Sequence, residues 1–465
     1  MNLTGLMAAC GKAFFLSLAL TPILRDVFRS YNVVDRPGRR KVHAYPIPRV
    51  GGIPIAIAYA FALNSLRGPN WVFPIHWVQT ILSGTAIIFL TGVIDDFLNL
   101  RAGVKLAGQT VAAAAAYASG LSIDRIGDIA LPFWVSLPLT LFWLLLTTNA
   151  LNLIDGLDGL CGGIAFWATL AFFAAGIAQN NAVLAFTALP LAAALLGFLV
   201  FNFNPATVFL GDSGALTIGF LLGCFGIVWT GHRLTGQGLA IPLLALCVPM
   251  LDLGLAIVRR RLRKRPIFSA DRGHIHHRLL DRGLSVRRVA LVLYAVGITG
   301  GLFGLLLSFT AGHVVLRSAL ICGLAAAALA GIRELRYPEF EVAGRLLFRG
   351  EFQKVFAEKL RLKELAQSLQ RAGSRDEWWR LLAAAAHDWK WVRLKWTAPG
   401  ALREEVLDTR EPSWSFVIEL TEIESVQVEG DAHSAENSPD LISLAAILTR
   451  TVQRGLREWR QPALL

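Results

Sequence analysis

The stretch FWVSLPLTLFWLLLTTNALNLIDGLDGLCGGIAFWATLAFFAAGI, residues 133–177, decides the fold class. An apolar run, Phe133 to Leu146, leads into its centre, and a second, Ile164 to Ile177, leaves it. Extended to 133–151 and 161–178, both reach the length of a membrane-spanning helix. Between them lies NALNLIDGLDGLCGG (149–163), with two asparagines, two carboxylates and several glycines. Asp155 and Asp158 are three apart, so on a helical turn both face one side. Ionisable groups at a membrane boundary are costly unless something uses them. The join between two spans is therefore also the first candidate site.

The rest of the chain extends this pattern. Of 465 residues, 54% are hydrophobic and 17% charged, far too apolar for a soluble chain of this length. The expected fold is an all-α polytopic membrane protein. The net charge of +12 would suggest nucleic acid in a soluble protein. Here the basic residues cluster between apolar runs, so they read as topology signals and phosphate sites, with no nucleic-acid partner. The five cysteines are scattered without CxxC spacing, which excludes a disulfide frame and a zinc motif. Met7 to Cys10 is a weak match to a lipoprotein cleavage site. The apolar stretch before it is too short, so residues 6–24 read as a retained first helix.

About eleven transmembrane helices can be drawn, near 6–24, 51–66, 78–94, 104–120, 133–151, 161–178, 182–201, 214–230, 238–257, 289–309 and 313–331. Pro54 interrupts the second. Loops 25–50 and 258–288 are rich in Lys and Arg, whereas those near 67–77, 121–132, 179–181 and 231–237 carry very few. The positive-inside rule then puts the basic loops in the cytoplasm, the N-terminus outside and the C-terminus inside the inner membrane. Residues 149–163, Asp95-Asp96, Asp212 and the histidines of 274–277 all fall on the cytoplasmic face. Residues 1–331 form the membrane domain. Residues 332–465 carry no span and read as a small cytoplasmic α/β domain. Its helices are expected at Glu341 to Arg371, Asp376 to Trp389 and Asp440 to Trp459. Its strands are expected at Trp391 to Thr397, Glu405 to Asp408 and Trp414 to Leu420, with a polar loop at Gly430 to Pro439. This order faintly resembles a GAF-like sensor module; an oligomerisation or packing domain is the plainer alternative.

Four groups carry candidate chemistry. Asp95 and Asp96, with Lys105 downstream, can hold a divalent cation, serve as a base and neutralise phosphate; they can equally be a solvated helix end. Asn149, Asn152, Asp155 and Asp158 offer the oxygen ligands that Mg²⁺ accepts, although the two Asp-Gly pairs also specify turns. Asp212, in FLGDSG (209–214), stands where the next helix begins, as ligand, N-cap or both. His274, His276, His277 and Arg278 lie in the most basic loop. Diphosphate binding explains three histidines within four residues better than topology does.

In order, the segments DRPGRRKVHAYPIPRVGG (35–52), DDFLNLRAGVK (95–105), NALNLIDGLDGL (149–160), FNFNPATVFLGDSG (201–214) and DRGHIHHRLL (271–280) resemble the polyprenyl-phosphate N-acetylhexosamine-1-phosphate transferases. The His-Ile-His-His form is similar to the N-acetylglucosamine branch; the related phospho-MurNAc-pentapeptide branch has consecutive histidines there. The resemblance covers roughly residues 1–331 and implies a bundle of ten or eleven helices, often a homodimer. It implies that a lipid phosphate oxygen attacks the β-phosphorus of a UDP-N-acetylhexosamine, most simply UDP-GlcNAc, and UMP leaves. The acceptor would be undecaprenyl phosphate. It assigns Asp95 and Asp96 to the acidic pair, one of which would deprotonate the lipid phosphate, Lys105 to phosphate, and Asn152 and Asp212 to Mg²⁺, with Mn²⁺ as the substitute. Asp155 and Asp158 would hold the nucleotide beside Asn149. His274, His276, His277 and Arg278 would grip diphosphate and sugar. Asp35 and Arg49 match an N-terminal substrate-side segment. The rivals are the MurNAc-pentapeptide reaction, a polytopic transporter and an inactive scaffold. A transporter would place ionisable groups near the midplane and show repeats, and this chain shows neither.

Overall fold

The computed structural model describes residues 3–35, 45–66, 75–231, 233–234, 238, 240–262, 273–310, 313–335, 351–398, 401–431 and 441–458. The basic stretches at 36–44 and 263–272, residues 341–350 of the first tail helix and the polar loop at 432–439 lie outside the described residues. The chain divides into two compact units, Met1–Tyr337 and Pro338–Leu465.

The first unit is helical. Its helices are α1 (Leu3–Ser30), α2 (Gly52–Ser65), α3 (Ile75–Leu98), α4 (Ala102–Ala118), α5 (Phe133–Ile154), α6 (Leu160–Ala178) and α7 (Ala182–Asn202). They continue with α8 (Gly211–Thr230), α9 (Ala240–Ala245), α10 (Cys247–Leu262), α11 (Ile275–Asp281), α12 (Val286–Ser308) and α13 (Val314–Glu334). Among the described residues, α1, α3, α5, α6, α7, α8 and α12 are long and apolar enough to cross a membrane. The expected single span at 238–257 is two helices, α9 and α10, interrupted at Leu246. Pro249 has no N–H to give the carbonyl of Ala245, so the ladder breaks there. It resumes where Met250 N donates to Leu246 O at 3.0 Å.

Helix α8 is the axis of this unit, and α2, α3, α5 and α6 pack around it. All of its residues from Gly211 to Trp229 except Asp212 are buried. Close backbone approach makes this packing, as expected where lipid removes the hydrophobic drive between helices. A Cβ on Gly52 would lie 2.2 Å from Gly214 N, so α2 can cross α8 this closely only because residue 52 is glycine. Trp143 Nε1 on α5 donates to the carbonyl of Gly223 at 2.9 Å. Hydroxyls inside the spans turn back on their own helix: Thr85, Thr148, Thr169 and Thr217 each donate to the carbonyl four residues earlier. Strands β1 (Arg125–Ile126), β2 (Ile129–Ala130) and β3 (Arg233–Leu234) form a small sheet in the order β2-β1-β3. Two-residue strands are too short to carry a readable period, so they have no signature in the sequence.

The second unit contains α14 (Glu351–Arg371), α15 (Arg375–Asp388), β4 (Arg393–Ala398), β5 (Ala401–Val406), β6 (Trp414–Thr421), β7 (Glu424–Gly430) and α16 (Leu441–Glu458). The strands form an antiparallel sheet in the order β5-β4-β7-β6. β7 is an addition to the expected strands, and β5 starts upstream of the expected Glu405. In β7 only Val426 and Val428 are apolar and buried, so polar residues mask its alternation. Leu444, Leu448 and Val452, spaced four apart on α16, are fully buried with Trp378, Trp391 and Leu394 in one core. Trp378 Nε1 donates to Thr451 Oγ1 at 3.1 Å, which satisfies its buried donor.

Candidate active site

At one end of the first unit, helix ends and turns enclose a cavity of about 550 Å³. Its wall includes Lys105 near the start of α4, Asn152 near the end of α5, Asp155 to Asp158 in the α5–α6 turn, and Asn202 at the end of α7. Asn204, Phe209, Gly211 and Asp212 at the start of α8 complete that side, with His277 and Val286 opposite. Asp35 and Arg49 also line it, joined by an ion pair at 3.2 Å. Backbone pairing holds this N-terminal segment in place. Asp35 pairs with Ile47, Phe209 N donates to Pro48 O at 2.9 Å, and Gly51 N and Gly52 N donate to Phe209 O and Leu210 O.

Lys105 is the electrostatic centre. Its Nζ lies 2.5 Å from Asp212 Oδ1, 2.8 Å from Asp95 Oδ2 and 3.4 Å from Asn152 Oδ1. Asn152 Nδ2 also donates to Asp212 Oδ1, at 2.5 Å. Oxygens from α3, α5 and α8 thus converge on one positive charge. The acidic pair is divided. Asp95 is buried, pairs with Lys105 through Oδ2, and accepts Leu100 N through Oδ1 at 2.7 Å. Asp96 accepts Asp212 N at 2.7 Å through Oδ1 and Ser213 N at 2.9 Å through Oδ2. Those are first-turn N–H groups of α8, which has no side-chain cap of its own. Gly211 makes this possible. Its φ is +75°, and a Cβ there would sit 2.8 Å from both Asp96 oxygens.

The α5–α6 turn is also divided. Asp158 Oδ2 accepts Asn204 Nδ2 at 2.9 Å and Ala206 N at 3.0 Å, so it fixes the 204–206 loop as well as lining the cavity. Tyr294 on α12 holds the same turn by donating to Gly159 O at 2.5 Å. Asp155 makes no side-chain hydrogen bond among the described residues. Burial, reinforced by the nearby Asp212 and Asp96 charges, pushes its carboxyl up to about 8. Between about pH 4 and pH 8 the folded protein holds a proton that the unfolded chain has lost, so this group costs increasing stability as pH rises through that window. Asp155→Asn is therefore expected to gain thermal midpoint over the parent as pH goes from 5 to 8, read by fluorescence unfolding in detergent. Parallel curves for the two proteins would show that Asp155 ionises normally.

Of the loop histidines, only His277 reaches the cavity. His274 and His276 are buried behind it, and Arg278 is not in the lining. His276 is pushed down to about 3, first by burial and then by the neighbouring His277, so it is neutral at physiological pH. Asn149 is also outside the lining. It exchanges hydrogen bonds with Gln109 of α4, one turn below Asn152.

Asp212 and Asn152 are the residues here that could hold a hard divalent cation. No cluster of three or more His, Cys, Asp or Glu that could hold a metal occurs among the described residues. The carboxylate of Asp212 and the amide oxygen of Asn152 already converge on a cation, the Lys105 ammonium. Mg²⁺ takes such a partial oxygen shell and completes it with phosphate and water.

Residues 78–230 match the family described as glycosyl transferase family 4. A Bacillus subtilis (strain 168) protein named probable undecaprenyl-phosphate N-acetylglucosaminyl 1-phosphate transferase is 34% identical over 312 residues, covering 65% of this chain and 83% of that one. The chain belongs to glycosyl transferase family 4. A Mycobacterium tuberculosis (strain ATCC 25618 / H37Rv) decaprenyl-phosphate N-acetylglucosaminephosphotransferase is 36% identical over 325 residues, covering 63% of this chain and 78% of its own length. A phospho-N-acetylmuramoyl-pentapeptide-transferase of Moorella thermoacetica is 34% identical over 280 residues, 56% of this chain and 84% of the relative.

Within this family-4 chain, sequence reasoning missed Asp252, Tyr294, Gln109 and Asn204. Asp252 carried a usable signal, because a lone acid inside the apolar segment 238–257 is a functional flag by default. Tyr294 carried none, since one tyrosine in an apolar helix is ordinary.

Proposed function

We propose that this protein transfers N-acetylglucosamine-1-phosphate from UDP-GlcNAc to a polyprenyl phosphate, with undecaprenyl phosphate as the acceptor. An oxygen of the lipid phosphate forms a bond to the donor's β-phosphorus. The bond from that phosphorus to the oxygen bridging the two phosphates breaks, and UMP leaves. The observation that carries this reading is the convergence of Lys105, Asn152 and Asp212 in a cavity at the helix ends of a family-4 chain. Two anions repel as they meet, and screening that charge is the chief demand of phosphoryl transfer. Lys105, Arg49 and His277 all line the cavity and could offer charge or hydrogen bonds to phosphate oxygens. Asp212 and Asn152 would hold Mg²⁺, which when bound polarises phosphoryl oxygens and neutralises charge. Asp155, whose carboxylate has no side-chain hydrogen bond among the described residues, is the group we assign to moving a proton at the cavity wall.

Further spans at α2, α4, the α9–α10 pair and α13 bring the membrane helices to about eleven. The Lys- and Arg-rich loops favour a cytoplasmic site and tail in the inner membrane. The test is UMP release by purified protein given UDP-GlcNAc, undecaprenyl phosphate and Mg²⁺. Release should require the lipid, stop with EDTA and return with Mg²⁺ or Mn²⁺. No release from any UDP-N-acetylhexosamine would overturn the reading, and unchanged release in EDTA would remove the metal from it.

A further inference from the structure

His274 is the N-cap residue of α11, and its side chain makes no cap to that helix. The cap comes from elsewhere. Asp252, 1% exposed in α10, accepts Ile275 N at 2.8 Å through Oδ1 and contacts His274 Nδ1 at 3.0 Å through Oδ2. An aspartate at that distance accepts a hydrogen bond from Nδ1–H, which fixes one tautomer and one ring orientation. The His274 ring lies parallel to His276, with centroids 5.8 Å apart. His276 in turn contacts His277 at 4.3 Å between centroids. The far side of His276 meets the α5–α6 turn, where a Cβ on Gly156 would come within 2.9 Å of Nε2. Three rings thus stand in a row between a buried carboxylate and the cavity, and the last ring is in the lining.

We infer that Asp252 is a positioning residue for the donor. It locks His274, and through His274 and His276 it sets where His277 meets the diphosphate of a UDP-sugar. This rests on the transfer reaction proposed above for the identity of the donor. It divides the His-Ile-His-His motif into two supporting residues, His274 and His276, and one contact residue, His277.

The experiment uses the full-length protein in detergent or nanodiscs and reads two quantities. One is the Kd for UDP-GlcNAc with no lipid present; the other is KM for each substrate. Asp252→Ala removes both bonds and is expected to raise Kd and donor KM by about 10–100-fold, the usual cost of losing an orienting partner. KM for undecaprenyl phosphate should stay within about twofold. Asp252→Asn keeps an oxygen for Ile275 N and can donate to His274 Nδ1 in the other tautomer. His274→Asn gives Asp252 a replacement donor. Both are expected within about fivefold of the parent by the same reasoning. A general loss of fold would raise both KM values together or lower the amount of competent protein, and neither conservative variant would rescue it. Unchanged donor affinity in Asp252→Ala, or equal rises for donor and lipid, would overturn the inference. A parent that binds UDP-GlcNAc but transfers nothing would sink the proposed reaction instead, with the Kd ratio still judging Asp252.

Discussion

Asp212→Asn is expected to lower kcat for UMP release by about 10²–10³-fold, the scale of losing one preorganised electrostatic group at a reacting phosphate. The protein should still fold. Lys105 keeps Asp95 at 2.8 Å, and an asparagine oxygen at 212 still accepts from Asn152 Nδ2. The backbone N–H of residue 212 keeps its bond to Asp96. What disappears is one unit of negative charge where oxygens from three helices converge. A cation placed there loses its only carboxylate from α8, and Lys105 is left to one acid. The measurement pairs a lipid-dependent turnover assay with a thermal midpoint. Near-normal turnover would remove Asp212 from the metal and phosphate side of the cavity. A collapsed midpoint would recast it as structural.

Asp96→Asn is expected to fail differently, losing stability as well as at least about 100-fold in kcat. Both oxygens of Asp96 accept backbone N–H groups at the start of α8. An asparagine offers one oxygen, and its NH₂ would face the second N–H. Leaving a buried donor unpaired costs about 1–3 kcal/mol. The first turn of α8 should then exchange its amides faster, and Asp212 should lose its fixed position because its own N–H is one of the two. Hydrogen exchange over residues 211–216 reads this directly. Lost activity with unchanged exchange and midpoint would refute the capping role and return Asp96 to proton transfer. Asp96 thus holds the backbone of Asp212, whereas Asp95 holds the Lys105 ammonium.

This division was not legible in the adjacent pair DD at 95–96, which reads as one acidic unit. Adjacent residues on a helix point about 100° apart, so the two carboxylates meet different neighbours. The same holds for the three histidines. Their spacing marked a site, but which ring reaches the cavity depends on Asp252 and on the Gly156 turn packed against His276. Asn149 and Asn152 differ for an equally physical reason. Three residues apart on α5, they lie a turn apart in height, so one meets Gln109 and the other the Lys105 centre.

The amino-acid sequence by itself determined that the chain is a mostly helical membrane protein, and it marked polar segments between apolar runs, several of which meet at the cavity. These follow from apolar run length, loop charge and the placement of polar residues between runs, all of which are local in the chain. Only the tertiary structure decided which polar groups face the cavity and which serve the fold. The pairs that matter, Asp96 with Asp212, Lys105 with Asp212 and Asp252 with His274, join different segments of the chain. Their contacts depend on how each helix is rotated about its axis. Helices that are apolar on every side carry no stripe that encodes this rotation. Close packing sets it instead, at contacts such as Gly52 against Gly214 and Gly211 beneath Asp96.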